Sequence, residues 1–336
     1  MKINTIHVGD CIEGMRQLLD NSVQCCVTSP PYFGLRDYGH EGQIGLEQTP
    51  EQYVAKMVEV FREVRRVLRD DGTLWLNLGD SYASSPPGNC TKGVSAKSGL
   101  NGVNGASGKY RETLEAGHAT KRDTSKIPGL KPKDLIGIPW RVALALQADG
   151  WWLRQDIIWH KPNPMPESVT DRCTKAHEYI FLMSKSATYY YDHEAVKESA
   201  TYTGARITLG PKSFSKGQAT GAGIAASGNG LADVYDVPDR RNRRSVWTCA
   251  TKPFSEAHFA VYPPSLIKPC ILAGCPKGGT VLDPFMGAGT TGLVAARLER
   301  NYVGFELNPD YAAIAEKRIR EDGEANQYKL NFGGVA

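Results

Sequence analysis

The chain has 336 residues, of which 41% are hydrophobic and 23% charged, with a formal net charge of +4. That length and apolar content support a sizeable core, in one large domain carrying insertions or in two smaller ones, and place the chain among ordinary globular proteins. The charge is too small to identify a nucleic-acid partner by itself, because proteins with small-molecule substrates are often as basic.

No apolar run approaches the length of a membrane span, and Met1 to Asp10 lacks the apolar stretch of a secretory leader. The expectation is a cytoplasmic protein with no membrane association. The eight cysteines, at positions 11, 25, 26, 90, 173, 249, 270 and 275, lack zinc-site spacing and disulfide density. Reduced thiols and no metal site are expected.

In chain order, the β-branched or apolar runs Thr5 to Val8, Val23 to Thr28 and Thr73 to Leu78 predict strands. A helix lies between the last two. Thr49 is its predicted N-cap, Pro50 suits the first helical position and Gln52 completes a capping box. Val54, Val58, Phe61 and Leu68 then keep one apolar face until Gly72. From Ser84 to Lys131 periodicity gives way to a basic insertion rich in Gly, Ser, Asn and Lys.

A helix around Asp134 to Ala148 and a strand around Trp151 to Trp159 follow, then a hairpin pairing Glu178 to Met183 with Thr188 to Asp192. Thr201 to Arg244 is a second irregular stretch, ending in Arg240, Arg241, Arg243 and Arg244 with only Asp233, Asp236 and Asp239 as nearby acids. The last part predicts a helix from Pro264 to Ala273, a strand Thr280 to Leu282, a helix Thr290 to Arg300, a strand Tyr302 to Glu306 and a helix from Pro309 to Glu321. Strands alternating with helices imply an α/β fold with a doubly wound, mostly parallel sheet. The predicted division is 1–83, a basic insertion at 84–131, 132–200, a second insertion at 201–245, and 246–336.

Val281-Leu282-Asp283-Pro284-Phe285-Met286-Gly287-Ala288-Gly289-Thr290-Thr291 reads as a buried strand running into a glycine turn and a helix, as in nucleotide-binding folds. Glu306 ends the next strand, at the spacing expected of an acid that accepts ribose hydroxyls. The third glycine of the dinucleotide fingerprint is missing, which disfavours a dehydrogenase. A lone glycine pair would read equally as a tight turn. The Asp-Pro-Phe prefix and the downstream acid point further.

Asp283 to Thr291 resembles the S-adenosylmethionine motif of the beta-class amino-methyltransferases of DNA. The resemblance implies a Rossmann-like methyltransferase sheet, circularly permuted so that the catalytic motif precedes the cofactor motif. It also implies cofactor contacts from Asp283, Phe285, Gly287, Gly289, Thr290, Thr291, Glu306 and Asn308. Val8-Gly9-Asp10 resembles the strand end flanking the adenine, adding Asp10 and Cys11. Ala288 stands where that family commonly has serine, so that side-chain hydroxyl is absent from this turn.

Thr28-Ser29-Pro30-Pro31-Tyr32 follows a short apolar strand, at the end where open α/β sheets place ligands. An exocyclic base amine is a poor nucleophile because its lone pair is delocalised into the ring. Acceptors that hold its hydrogens draw the nitrogen toward tetrahedral geometry, and the Ser29 hydroxyl and Pro30 carbonyl are such acceptors. Pro31 is a rigid spacer. Tyr32 offers a stacking face for a flipped base. Asp80, ending Asn77-Leu78-Gly79-Asp80, is a second-tier candidate, and Ile157 to Pro164, with His160 and Lys161, resembles the family's segment beside the target base.

Within that family a serine in this position most often accompanies cytosine methylation at N4, and Asp or Asn adenine methylation at N6. The expected activity is therefore site-specific transfer from S-adenosylmethionine to cytosine N4 in double-stranded DNA, with adenine-N6 transfer as the alternative. RNA or protein-glutamine methylation and a non-catalytic DNA-binding relative rank lower. DNA contacts are assigned to Arg240, Arg241, Arg243, Arg244, His160 and Lys161, since cations bind phosphates. A cognate restriction endonuclease is a candidate partner, and the chain is expected as a monomer or homodimer.

Overall fold

The structure is a computed structural model that describes residues 2–34, 40, 42–83, 124, 127–200, 206–209, 233–236, 239–251 and 261–332. Contacts divide the chain into a unit of Met1–Tyr191 with Ser245–Ala336 and a second unit, Asp192–Arg244. Most of the 84–131 insertion and of the 201–245 stretch lies outside the described residues.

The first unit is built on one sheet whose strands are, in chain order, β1 (Thr5–Val8), β2 (Val23–Thr28), β3 (Leu68–Leu78), β4 (Trp152–His160), β5 (His177–Ser184), β10 (Val246–Thr248), β11 (Thr280–Asp283) and β12 (Asn301–Glu306). Their spatial order is β1-β12-β11-β2-β3-β5-β4-β10. All neighbours are parallel except where β5 runs against β3 and β4. From the central β2 and β11 pair, the chain steps outward to β3 on one side and to β12 on the other. This boundary is a topological switch point, where α/β sheets leave a crevice for ligands.

Helices cover both faces. α1 (Cys11–Arg16), α2 (Pro50–Val67) and α3 (Ile138–Ala148) pack as one row, and α4 (Pro264–Gly274), α5 (Thr290–Arg297) and α6 (Pro309–Phe332) as another. α2 carries the predicted capping box, with Thr49 and Gln52 satisfying each other's backbone N–H groups. Its buried stripe of Tyr53, Met57, Val60, Phe61, Val64 and Val67 follows the helical period against β2 and β3. The central strands are buried on both sides and read as near-continuous apolar runs.

Several boundaries differ from the sequence reading. α2 ends at Val67 and β3 begins at Leu68, because Leu68 adopts extended geometry and pairs with Val23. α3 starts at Ile138 instead of Asp134, since Gly137 caps it at φ +77° and Pro139 suits only the first turn. The hairpin of Glu178 to Met183 with Thr188 to Asp192 does not form. β5 already has β3 and β4 on its two edges, so no edge is left to pair.

In the second unit, β6 (Glu198–Ser199) pairs with β9 (Arg240–Arg241) and β7 (Arg206–Leu209) with β8 (Asp233–Asp236), both antiparallel. The seven described cysteines are free thiols. Among the described residues no His, Cys, Asp or Glu cluster could hold a metal. Among the same residues no helix is long and apolar enough to cross a membrane.

Candidate active site

The two motifs leave neighbouring strands. Cys25 and Cys26 of β2 pair with Val281 and Leu282 of β11, so Ser29 and the glycine turn emerge side by side at the carboxyl edge. A buried hydrogen bond joins them: Thr28 Oγ1 donates to Asp283 Oδ1 at 2.6 Å. Asp283 also accepts from Thr291 Oγ1 at 2.6 Å, Tyr262 Oη at 3.1 Å and the Phe285 N–H at 3.0 Å. Burial raises the Asp283 carboxyl above its ordinary range, against the pull of these donors. Asp283 is thus the internal strut between the catalytic loop and the cofactor turn.

The turn itself needs its glycines. Gly289 has φ +75°, and a Cβ there would stand 2.8 Å from the Ala315 Cβ. Thr290 and Thr291 are buried and open α5. Glu306, ending β12, accepts from the Gly287 N–H at 2.8 Å and the Asn308 N–H at 2.9 Å. Burial pushes its carboxyl up, and these backbone bonds oppose the shift. Asn308 in turn accepts from the Asp310 N–H at 2.8 Å, at the start of α6.

Beside Glu306 in the sheet register lies Val8, an apolar residue 58% exposed at the end of β1. An acid next to an open apolar surface at a glycine turn fits the ribose and adenine of S-adenosylmethionine. Asp10 is in the same corner, but its Oδ1 is already the N-cap of α1, bonded to Ile12 and Glu13. Cys11 is buried there as the first residue of α1, and burial pushes its thiol up to about 12, so it is a neutral wall.

In the catalytic loop, the Pro31 carbonyl accepts from Tyr53 Oη of α2 at 2.8 Å, which pins the two-proline turn to the core. Pro30 is buried, and Ser29, Pro31 and Tyr32 are half-buried. Ser29 Oγ donates to Tyr32 Oη at 3.3 Å, and Tyr32 Oη donates to Glu178 Oε2 at 2.8 Å. The Tyr32 ring fills the space over Gly79, where a Cβ would stand 2.5 Å from Cε2. Burial, reinforced by the Glu178 charge, raises the Tyr32 phenol well above its usual value. It remains protonated at neutral pH.

Glu178 and Asn77 are participants the sequence reading did not single out. Asn77 Nδ2 donates to Glu178 Oε2 at 3.2 Å and to the Tyr179 carbonyl at 3.1 Å. The available signal was an acid at the start of an otherwise apolar strand, His177 to Ser184. Tyr262 was not singled out either, although it lies within Phe259 to Leu272, a segment that resembles the family's helix over the cofactor's methionine end; its bond to Asp283 is what the structure adds.

Three of the assigned groups have partners that the sequence did not show. Lys161 bonds to Glu178 Oε1 and lies over the Trp159 ring, 4.3 Å from its centroid. Its charge is therefore already paired with that carboxylate. Asp80 Oδ1 accepts from the Ser81, Gly137 and Ile138 N–H groups, so it is a backbone tie at the start of α3. The arginine cluster has an acid that sequence proximity did not show: Glu198 pairs with Arg241 at 3.0 Å and Arg244 at 2.6 Å. Burial raises the Glu198 carboxyl, but those two arginines outweigh it and hold it low. Arg240 bonds to the Lys197 carbonyl at 2.9 Å, and His160 Nδ1 lies 3.1 Å from Thr248 Oγ1.

A family model described as DNA methylase matches residues 23–317. Type II methyltransferase M.SmaI of Serratia marcescens is 46% identical over 314 residues, covering 94% of this chain and 90% of that protein. M.Cfr9I of Citrobacter freundii is 46% identical over 316 residues, covering 94% and 87%. Among solved structures, the PvuII DNA methyltransferase (cytosine-N4-specific) superposes with a TM-score of 0.57 at 17% identity, covering 95% of this chain and 90% of that one. A putative DNA modification methylase of Thermus thermophilus, complexed with S-adenosyl-L-methionine, gives 0.56 at 21% identity, covering 95% and 93%. With the Ser29 loop and the glycine turn on adjacent strands and these relatives along nearly its whole length, the chain belongs to the family of S-adenosylmethionine-dependent DNA methylases.

Proposed function

We propose that the chain methylates the N4 amine of a cytosine flipped out of double-stranded DNA. The observation that carries this reading is the 2.6 Å bond between Thr28 and Asp283, which ties the Ser29 loop to the cofactor turn. S-adenosylmethionine supplies an electrophilic sulfonium methyl. Ser29 Oγ and the Pro30 carbonyl take the amine hydrogens and aim the nitrogen lone pair, a contribution of orientation and preorganised acceptors. Tyr32, fixed by Glu178 and by Gly79 beneath its ring, holds its place at the mouth of the pocket. Ser29, in place of Asp or Asn, supports cytosine by resemblance. Incubating DNA with protein and cofactor, then digesting it for mass spectrometry, is expected to yield N4-methylcytosine. Methyladenine alone would refute the choice of base, and methylation confined to RNA or protein the choice of polymer.

The Asp192–Arg244 unit is our candidate for target recognition. Its arginines would supply phosphate affinity, and Arg244 keeps 67% of its side chain exposed despite the Glu198 pair. Replacing Arg240, Arg241, Arg243 and Arg244 by Gln is expected to weaken DNA binding. It should also flatten the dependence of log affinity on log salt, by about 0.9 for every phosphate no longer neutralised. An unchanged slope would remove these residues from the interface. The type II designation of the relatives supports a restriction endonuclease of the same specificity as partner.

A further inference from the structure

We propose that Glu178 is the terminal proton acceptor of the reaction, reached from the target amine through the hydroxyls of Ser29 and Tyr32. This rests on the amine-methylation reading above and adds to it the fate of the proton. The hydrogen bonds already run one way: Ser29 Oγ donates to Tyr32 Oη at 3.3 Å, and Tyr32 Oη donates to Glu178 Oε2 at 2.8 Å. A carboxylate is where such a chain ends, because it accepts and has no proton to pass on; Asn77 Oδ1, 3.3 Å from Tyr32 Oη, also accepts but is a far weaker base.

The surroundings suit that task. The Glu178 and Lys161 side chains keep 15% and 18% of their exposure, so both are largely withdrawn from water. The charged and titratable groups facing Glu178 are Lys161 at the end of β4, Lys175 in the β4–β5 connection, His177 on its own strand and Tyr32 in the loop. Lys175 is itself held by the Asp80 carbonyl at 3.1 Å. The Lys161 ammonium balances the carboxylate charge before the reaction and favours release of the proton after it.

The balance is complete. As the amine lone pair forms the nitrogen–carbon bond, the former carbon–sulfur pair stays on sulfur, and the nitrogen holds a positive charge and two protons. One proton passes to Ser29 Oγ, the serine proton to Tyr32 Oη, and the tyrosine proton to Glu178 Oε2. Both hydroxyls end as they began, the methylated amine is neutral, and Glu178 is a carboxylic acid beside Lys161.

Single-turnover transfer to a duplex oligonucleotide tests this with Glu178→Gln, which keeps the shape and the hydrogen bond to Tyr32 but cannot take the proton. Its rate is expected to fall roughly 100-fold, the scale of one general base, with cofactor and DNA affinities unchanged. Tyr32→Phe breaks the chain at its middle, and the double variant should be no slower than the slower single one. Independently of turnover, the ring-carbon resonance of Tyr32 in tyrosine-labelled protein should shift on Glu178→Gln. Wild-type turnover by Glu178→Gln would overturn the relay alone. No transfer to DNA by the wild type would overturn the underlying reading as well.

Discussion

Ser29→Ala is expected to lower single-turnover methyl transfer roughly 100- to 1,000-fold, the cost of losing one preorganised acceptor at the reacting centre. The reason lies in what the hydroxyl touches. Its side chain is half-buried at the end of β2, 3.3 Å from Tyr32 Oη, and bonds to none of the groups around Asp283. Removing it therefore takes away the amine's acceptor without loosening the cofactor turn. S-adenosylmethionine affinity, measured by calorimetry, is expected to stay at the wild-type value. An alanine variant that turns over normally would place the chemistry elsewhere, and one that loses cofactor binding would show that the two motifs are not separable at this residue.

The largest stability effect is expected at Asp283. Its carboxylate gathers three hydroxyls and one backbone N–H, from Thr28, Thr291, Tyr262 and Phe285, in a fully buried position. Asp283→Ala removes all four acceptor sites at once. With buried unpaired groups costing about 1–3 kcal/mol each and some hydroxyls free to turn elsewhere, a loss of about 3–5 kcal/mol is expected. The midpoint of urea unfolding reads it. Asp283→Asn retains an acceptor oxygen and is expected to lose less.

The pH dependence has a definite sign. Burial raises the native carboxyl above the ordinary aspartate value of 3.8, so the native state holds the proton more tightly than the unfolded chain. The stabilisation tied to that proton is present below 3.8 and is lost as pH rises through the raised native value. Asp283→Asn should flatten this part of the profile. A wild-type midpoint independent of pH over that window would contradict the raised value.

Both effects meet at the junction of β2 and β11, where the bonded residues stand some 255 positions apart in sequence. This explains why the functional assignment needed two motifs. Ser29-Pro30-Pro31-Tyr32 alone reads as an extended turn, and Gly287-Ala288-Gly289 as a tight one. Brought onto neighbouring parallel strands, the residues flanking them, Thr28 on one side and Phe285 and Thr291 on the other, bond to the same buried carboxylate. The circular permutation expected from motif order corresponds to a sheet in which the carboxyl-terminal strands β11 and β12 sit between β1 and β2.

What the sequence determined by itself was local chemistry and its order. Thr49, Pro50 and Gln52 specify the start of α2 because a capping box is completed within four residues. The strand–turn–helix of the cofactor motif and the rigid two-proline loop are likewise local, since glycine and proline act through their own backbone. Only the tertiary structure decided which charges are free. Lys161 was legible as a cation beside the motif, but its pairing with Glu178 depends on β4 and β5 lying antiparallel in register. The arginine run was legible as basic, yet Glu198 reaches it from more than forty residues away. Thr28 to Tyr32 was read as the catalytic loop from its residue types. That its serine and tyrosine lead to a carboxylate on β5 follows from strand adjacency, which no pattern within the loop encodes.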